Sequence, residues 1–195
     1  MPIKTPFLLI SLISLSLLSG CAAVVVGGAT TGVAIAHDRR STGTVIDDQT
    51  IELKALKIMY SNALIRRNSH INVTCYNGLL LLTGEAPTDS LRQTIVQRIR
   101  VIPGIKKIHQ AITIAAPSAL VSRTSDAYVT SKVKVSLFNL NHISGFDPTR
   151  VKVTTEDGVV YLLGLLKPHE ISPVVDTIRR VGGVQRVVQL FETMS

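Results

Sequence analysis

Cys21 is the residue whose neighbours most directly specify a covalent chemistry. It follows Leu18-Ser19-Gly20, one aliphatic and two small residues, the box cut by a lipoprotein signal peptidase once the cysteine thiol carries diacylglycerol. The first twenty residues fit that reading, with one charge at Lys4, an apolar stretch from Phe7 to Leu18 and small residues at the cut. The stretch falls short of the ~20 apolar residues a spanning helix needs. A chain cut there begins at Cys21 and carries two or three acyl chains, each CH₂ contributing ~0.8 kcal/mol on burial, so anchoring is expected to be permanent. Ala22 follows the cysteine, where in enteric-type bacteria an aspartate would hold a lipoprotein at the inner membrane. The expected destination is therefore the outer membrane, facing the periplasm.

Other reactive residue types do not fall at spacings that make a catalytic or metal site. His37, His70, His109, His142 and His169 sit in tether, loops and turns, with no two at a ligand spacing on one element. The acidic pairs Asp47-Asp48 and Glu156-Asp157 are better explained by helix capping and a hairpin turn than by acid–base catalysis. There is no Gly-x-Ser-x-Gly elbow, phosphate loop or dinucleotide fingerprint. Cys75, alone once Cys21 is acylated, alternates in phase with Ile71 and Val73 and is expected in the core as a small hydrophobe. These observations point to a non-enzymatic protein with no cofactor and no metal.

Charge narrows the partners. The chain carries 21 basic and 13 acidic residues for a net +8, and cleavage before Cys21 removes only Lys4, leaving +7. A basic excess points to nucleic acid or an anionic membrane. Export removes nucleic acid and leaves phospholipid headgroups within reach of a tethered domain.

The elements that must position any site are given by a repeat. Laid on itself at an offset near eighty residues, Asn72-Val73-Thr74 meets Lys152-Val153-Thr154 and Asn77-Gly78 meets Asp157-Gly158. Asp48, Ile51, Ala55 and Met59 meet Asp126, Val129, Val133 and Leu137, and Val101-Ile102-Pro103-Gly104-Ile105 meets Val181-Gly182-Gly183-Val184. Each copy, roughly 70 residues long, is expected to open on a helix capped by Asp48 or Asp126, over Thr50 to Ile65 and Ala127 to Leu140. A tight hairpin follows in each, Ile71 to Tyr76 with Leu79 to Thr83 and Val151 to Glu156 with Val159 to Leu163, because Asn-Gly and Asp-Gly tolerate the positive φ of a type I′ turn. A second helix runs from Asp89 to Val101; in the second copy Pro168 and Pro173 delay it, with Ser172 as cap and Pro173 first in the helix, to Arg180. Third strands are expected over Ile108 to Ile114 and Arg186 to Phe191. The units are marginal alone and are expected to pack together. The segments are 1–20 signal, 21–46 lipidated N-terminus and tether, 47–115 first domain, 116–124 linker and 125–195 second domain.

Paired cations such as Arg39-Arg40, Arg66-Arg67, Lys106-Lys107 and Arg179-Arg180 read as solvated ends and loops. The more informative patch is the second domain's first helix. Its core stripe takes Val129, Val133, Leu137 and Leu140, leaving Tyr128, Lys132, Val135 and Phe138 pointing elsewhere with Arg123 and Lys134 nearby. Rings and aliphatics interleaved with lysine suit a membrane interface; equally, the same groups could pack against the first domain. The first domain's helix lacks that combination and is expected to be indifferent to lipid.

The repeated unit resembles the BON domain, a module of bacterial periplasmic and outer-membrane proteins, and a lipobox with two copies resembles the dual-BON lipoproteins. Asp38-Arg39-Arg40-Ser41, Asp47-Asp48, Ile71-Asn72-Val73-Thr74 and Val151-Lys152-Val153-Thr154-Thr155-Glu156-Asp157-Gly158 carry the likeness over nearly the whole mature chain. It implies an α+β fold of two tandem αββαβ modules, each a three-stranded mixed sheet covered by two helices. It also implies a protein of envelope integrity that binds anionic phospholipid through its second domain and gathers at the division site. Lipid contact would fall on Tyr128, Val129, Ser131, Lys132, Lys134, Val135 and Phe138, with Tyr128 where the family usually has Trp. Outer-membrane assembly or cell-division envelope proteins are the candidate protein partners, and an adaptor that docks an assembly or cell-wall partner through the same surface is the alternative function.

Overall fold

The computed structural model of the chain describes residues 38–117 and 120–194. The signal segment, Cys21 and the tether as far as His37 lie outside them. The first module runs α1 (Thr42–Ser61), α2 (Ala63–Asn68), β1 (His70–Tyr76), β2 (Leu79–Ala86), α3 (Asp89–Arg100) and β3 (Lys107–Ile114). The second runs α4 (Leu120–Leu137), extended by a 3₁₀ turn over Phe138–Leu140, then a 3₁₀ turn at Pro148–Arg150, β4 (Lys152–Glu156), β5 (Val159–Leu166), α5 (Pro168–Arg179) and β6 (Arg186–Thr193). In each, the hairpin is antiparallel and the third strand returns parallel to the second, giving mixed sheets in the order β1-β2-β3 and β4-β5-β6. The turns are as their residues require: Asn77 and Gly78 take φ of 50° and 78°, Asp157 and Gly158 take 48° and 69°.

The opening helices depart from expectation. Ser41 rather than Asp48 caps α1, its hydroxyl accepting from the Thr44 amide at 3.1 Å, so the helix begins well before Thr50. Asn62 breaks it, its carboxamide oxygen accepting from Leu64 and Ile65 N–H, and α2 starts anew. Asp48 and Asp126 lie inside their helices, buried at 3% and 9% exposure. Each carboxylate reaches the facing hairpin and accepts both central amides of the turn: Asn77 and Gly78 donate to Asp48 at 2.6 and 2.8 Å, Asp157 and Gly158 to Asp126 at 2.9 Å each. A type I′ turn leaves those two N–H groups without strand partners, and a carboxylate is the acceptor that satisfies both at once. The sequence repeat of this aspartate is thus a repeat of helix-to-turn clamping, not of capping.

The helix α5 also begins earlier than expected, at Pro168. Glu170, third in the helix, folds back to accept from the Lys167 amide at 2.7 Å, which fixes the first turn there. Pro173 therefore sits inside the helix, and Ser172, the expected cap, turns its hydroxyl to Asp176 instead.

Each sheet is buried on both faces, as the unbroken apolar runs of β2 and β5 require. Leu80 and Leu82 pack with Ile51, Ala55, Ile95 and Ile99 under the first module's helices; Val160 and Leu162 pack with Val133, Leu137, Val174 and Ile178 under the second's. The alternate residues Tyr76, Leu81, Tyr161 and Leu163 form a third core between the two sheets. The order of layers is helices, sheet, sheet, helices, with α1 and α4 on opposite outer faces. Across the seam Thr74 and Thr154 hydroxyls meet at 3.1 Å, Asn72 and Thr83 donate to Glu156 at 2.8 and 2.9 Å, and the Leu165 amide donates to the Tyr76 hydroxyl at 3.1 Å.

Candidate functional site

The outward side of α4 follows from how its inward side is used. Val129, Val133 and Leu137 are buried at 4% or less and Leu140 at 6%, which fixes the helix's rotation. At ~100° per residue, Tyr128, Ser131, Val135 and Phe138 then fall in a sector of about 80° facing straight away from the sheet. They do not pack on the first domain: Tyr128, Val135 and Phe138 are 64%, 69% and 59% exposed. Lys132 and Lys134 stand ~80° to either side of that sector's centre, one at each edge. Phe138 holds its place on the 3₁₀ turn that ends the helix. Val129 belongs to the core and not to this face, so it is the one member of the expected lipid-contact set that is turned away from the outward surface.

Lys132 is held rather than loose. Its ammonium lies 4.6 Å from the centroid of the Tyr128 ring and donates to the Gly182 carbonyl, in the loop before β6. Ser131 closes its hydroxyl onto the Ala127 carbonyl at 2.9 Å, which hides its polarity from the outward side. Lys134 and Phe138 together form one wall of a cleft of about 460 Å³ whose other wall includes Asp38, Arg40, Tyr76 and Lys152. The chain that leads from the tether into α1 therefore passes beside the C-terminal end of α4.

That entry is the feature the sequence reading missed. Arg39-Arg40 is not a solvated pair. Arg39 reaches into the second module, where its two terminal nitrogens each lie 2.6 Å from a Glu170 oxygen and also donate to the Leu165 and Gly145 carbonyls. Glu170 is fully buried; burial pushes its carboxyl up, but Arg39 and the Lys167 amide outweigh burial and hold it below the usual glutamate value. Arg40 stays with the first module, donating to Asp48 and Asp38 at 2.7 Å and lying 3.8 Å over the Tyr76 ring. Two consecutive arginines thus pin the start of the folded unit to both modules. The available signal was the run Asp38-Arg39-Arg40-Ser41 itself, since an acid two residues before a guanidinium is a local clamp.

The remaining reactive types are structural. Cys75 is wholly buried with its thiol against Asp48 at 3.2 Å, and burial with that carboxylate pushes the thiol up to about 12. His109 lies against Tyr161 across the seam, ring centroids 6.2 Å apart. Among the described residues no three His, Cys, Asp or Glu side chains form a metal-binding group, and no helix is long and apolar enough to cross a membrane. Cys21 lies outside those residues.

One further expectation is corrected: the first domain's helix does carry an exposed apolar face. Ile46, Leu53 and Tyr60 are 56%, 67% and 63% exposed. Heptad spacing hid this line in a reading tuned to the three-four-four core stripe.

The BON domain model matches residues 47–116 and again 125–193. The chain is 30% identical to the outer membrane lipoprotein DolP of Haemophilus influenzae over 175 residues, 90% of this chain and 89% of that protein. It is also 30% identical over 153 residues to a protein of Actinobacillus pleuropneumoniae named as a 21 kDa hemolysin, covering 78% and 77% of the two chains. Among solved structures, the C-terminal domain of CdsD, from the type III secretion system of Chlamydia trachomatis, overlaps 76% of this chain and 67% of its own at 12% identity and a TM-score of 0.30.

Proposed function

The chain belongs to the BON-domain family, with two copies of the domain, and from that footing we propose that it is an outer-membrane lipoprotein which docks its second domain on anionic phospholipid. Cys21 carries the acyl anchor, and the surface that meets the bilayer is the outward side of α4. The observation that carries this reading is the layout of that side: Tyr128, Val135 and Phe138 exposed in the middle, with Lys132 and Lys134 at its two edges. An interfacial helix needs this arrangement, because rings and aliphatics enter the headgroup zone while ammonium groups stay at phosphate level. The net positive charge of the chain favours the same partner.

The pinned entry of the tether supports the reading as well. Because Asp38 and Arg40 line one cleft with Lys134 and Phe138, the folded unit begins next to the surface proposed to meet lipid. A lipidated chain then presents α4 to its own membrane at high effective concentration. In this role the protein maintains envelope integrity, with enrichment at the division site as the place the family resemblance implies.

Flotation with protein-free vesicles tests the proposal. The unlipidated folded unit is expected to float with vesicles containing phosphatidylglycerol or cardiolipin, less so as salt rises, and to stay at the bottom with phosphatidylcholine alone. Binding that needs a membrane protein in the vesicle, and never occurs with lipid alone, would instead favour an adaptor.

A further inference from the structure

We infer that Lys132 and Arg180 together form a phosphate site where α5 borders the membrane-facing surface, and that it takes the phosphate of an anionic phospholipid. The inference rests on the reading of α4 as the lipid-contacting helix and adds to it a residue from a different element.

Helix geometry sets Arg180 on the outer side of the second module. It continues α5 by one residue in helical conformation, and at ~100° per residue it lies ~120–160° around the helix from Val174, Val175 and Ile178, which are buried with Val133 and Leu137 of α4. Arg180 therefore leaves α5 away from the sheet. Arg179 stays within ~40° of Val175, pairs with Asp176 at 3.8 Å and lines a cleft with Gln189 and Thr193 of β6. The two adjacent arginines thus take different flanks, and Arg180 has the outward one.

The loop after α5 brings a second cation to it. Gly182, two residues beyond Arg180, accepts through its carbonyl from the Lys132 ammonium, and a Cβ on Gly183 would meet Val129 at 2.9 Å, so this loop sits directly on α4. Two residues span at most ~7 Å, within the reach of an arginine side chain. Lys132 spends one of its three N–H donors on Gly182 and lies over the Tyr128 ring, and Arg180 is exposed. No ion pair among the described residues engages either cation. A phosphate fits such a pair, accepting the guanidinium fork on two oxygens and the ammonium on a third. The Tyr128 ring beside them, at headgroup depth if α4 meets the bilayer, assigns that phosphate to a lipid. A headgroup with its own ammonium would set a third cation against the pair, so the site favours anionic phospholipid.

The first module has the same frame without the same chemistry. Gly104 at φ 93° lies against Ile51 as Gly183 at φ 100° lies against Val129, and Val101 caps α3 in the conformation with which Arg180 caps α5. Counted from Asp48 and Asp126, Lys54 matches Lys132 and Thr50 matches Tyr128. Both modules therefore place a lysine here, but lysine, arginine and ring converge only in the second.

Vesicle binding by the unlipidated chain from residue 21 tests the pair, with phosphatidylcholine vesicles that contain or lack phosphatidylglycerol. Arg180→Gln is expected to weaken binding to the phosphatidylglycerol vesicles about fivefold, and Arg180→Lys to retain most of it. Arg179→Gln loses the same charge from the other flank and is expected to change binding by less than about twofold. Equal losses from Arg179→Gln and Arg180→Gln would overturn the proposal in favour of general attraction, and so would wild-type binding by Arg180→Gln. Tyr128→Glu separates the site from the reading beneath it. If Tyr128→Glu abolishes binding while Arg180→Gln leaves it intact, α4 meets lipid and the phosphate site alone fails; if Tyr128→Glu binds as the wild type does, the α4 reading fails and the site with it.

Discussion

Arg39 and Glu170, 131 positions apart, meet in a two-pronged ion pair with both N–O distances at 2.6 Å, and the carboxylate end is completely buried. Removing the arginine leaves a buried carboxylate with the Lys167 amide as its remaining donor. Arg39→Ala is therefore expected to destabilise the fold by about 3 kcal/mol, the scale of breaking a buried pair by one partner. Arg39→Ala with Glu170→Gln should recover most of that loss. Urea midpoints of the three proteins check it. The pH dependence follows from the depressed Glu170 carboxyl: its contribution is present above the ordinary glutamate value and is lost as pH falls through the lower folded one. Acid unfolding of the wild type should therefore be steeper below about pH 4.5 than that of the double variant.

The clamp from helix to turn gives a second test. Asp126 accepts the Asp157 and Gly158 amides at 2.9 Å each, so Asp126→Ala orphans two donors while Asp126→Asn keeps one good acceptor. Expected losses are about 3 kcal/mol for Ala and roughly half of it for Asn, with hydrogen exchange at the Asp157 and Gly158 amides rising in the same order.

How far these features were legible in the sequence depends on their range. The hairpins were plain because Asn-Gly and Asp-Gly specify their turn within two residues, and the module repeat was plain because apolar spacing recurs in order. Asp48 and Asp126 were seen as a repeat and given the wrong partner, since an aspartate ahead of an apolar stripe has the same local signature whether it caps its own helix or reaches a turn about thirty residues on, as Asp48 does to Gly78. Arg39 could not be placed because its acceptors come from β5, α5 and the loop at Gly145, contacts set only when the two sheets close. On α4 the core stripe was readable and the outward residues followed from it. What periodicity could not decide was what covers them, and their exposure is a property of the whole sandwich.

Glu156 makes the seam between the sheets sensitive to pH in the opposite sense to Glu170. Burial raises its carboxyl above the usual value, the donors Asn72 and Thr83 only partly opposing it, and the charge of Glu85 raises it further. A raised folded value means stability present at low pH and lost as pH climbs through that value. Glu156→Gln keeps an oxygen for Asn72 and Thr83 and supplies a donor near Glu85, whose buried Oε2 has no hydrogen-bond partner among the described residues. The variant is expected to gain on the order of 1 kcal/mol at pH 8 and nothing at pH 4, as read from thermal unfolding at the two pH values. Equal effects at both would show that the carboxyl is already ionised in the fold.

Anchoring has its own signature. Cys21→Ala should leave a folded, exported protein that no longer sediments with outer membrane, because the acyl chains supply ~0.8 kcal/mol per CH₂ and the α4 face alone gives only reversible contact. Unchanged fractionation would mean that the tether or the α4 face suffices.

Tyr128→Glu tests the lipid face itself. The ring is 64% exposed and lies under the Lys132 ammonium, so the substitution removes an amphipathic group, sets a carboxylate against anionic lipid and draws Lys132 away from phosphate. The electrostatic part alone is worth ~1 kcal/mol per charge near such a surface, and loss of the ring adds to it, so binding to anionic vesicles should fall by more than about tenfold. Stability should move by no more than about 0.5 kcal/mol, as for a surface site. Tyr60→Glu is the matched control, equally exposed at 63% but on the opposite outer face, and should leave vesicle binding intact. If both substitutions reduced vesicle binding alike, attraction would be set by overall charge rather than by α4, and the assignment of the membrane-facing helix would fail.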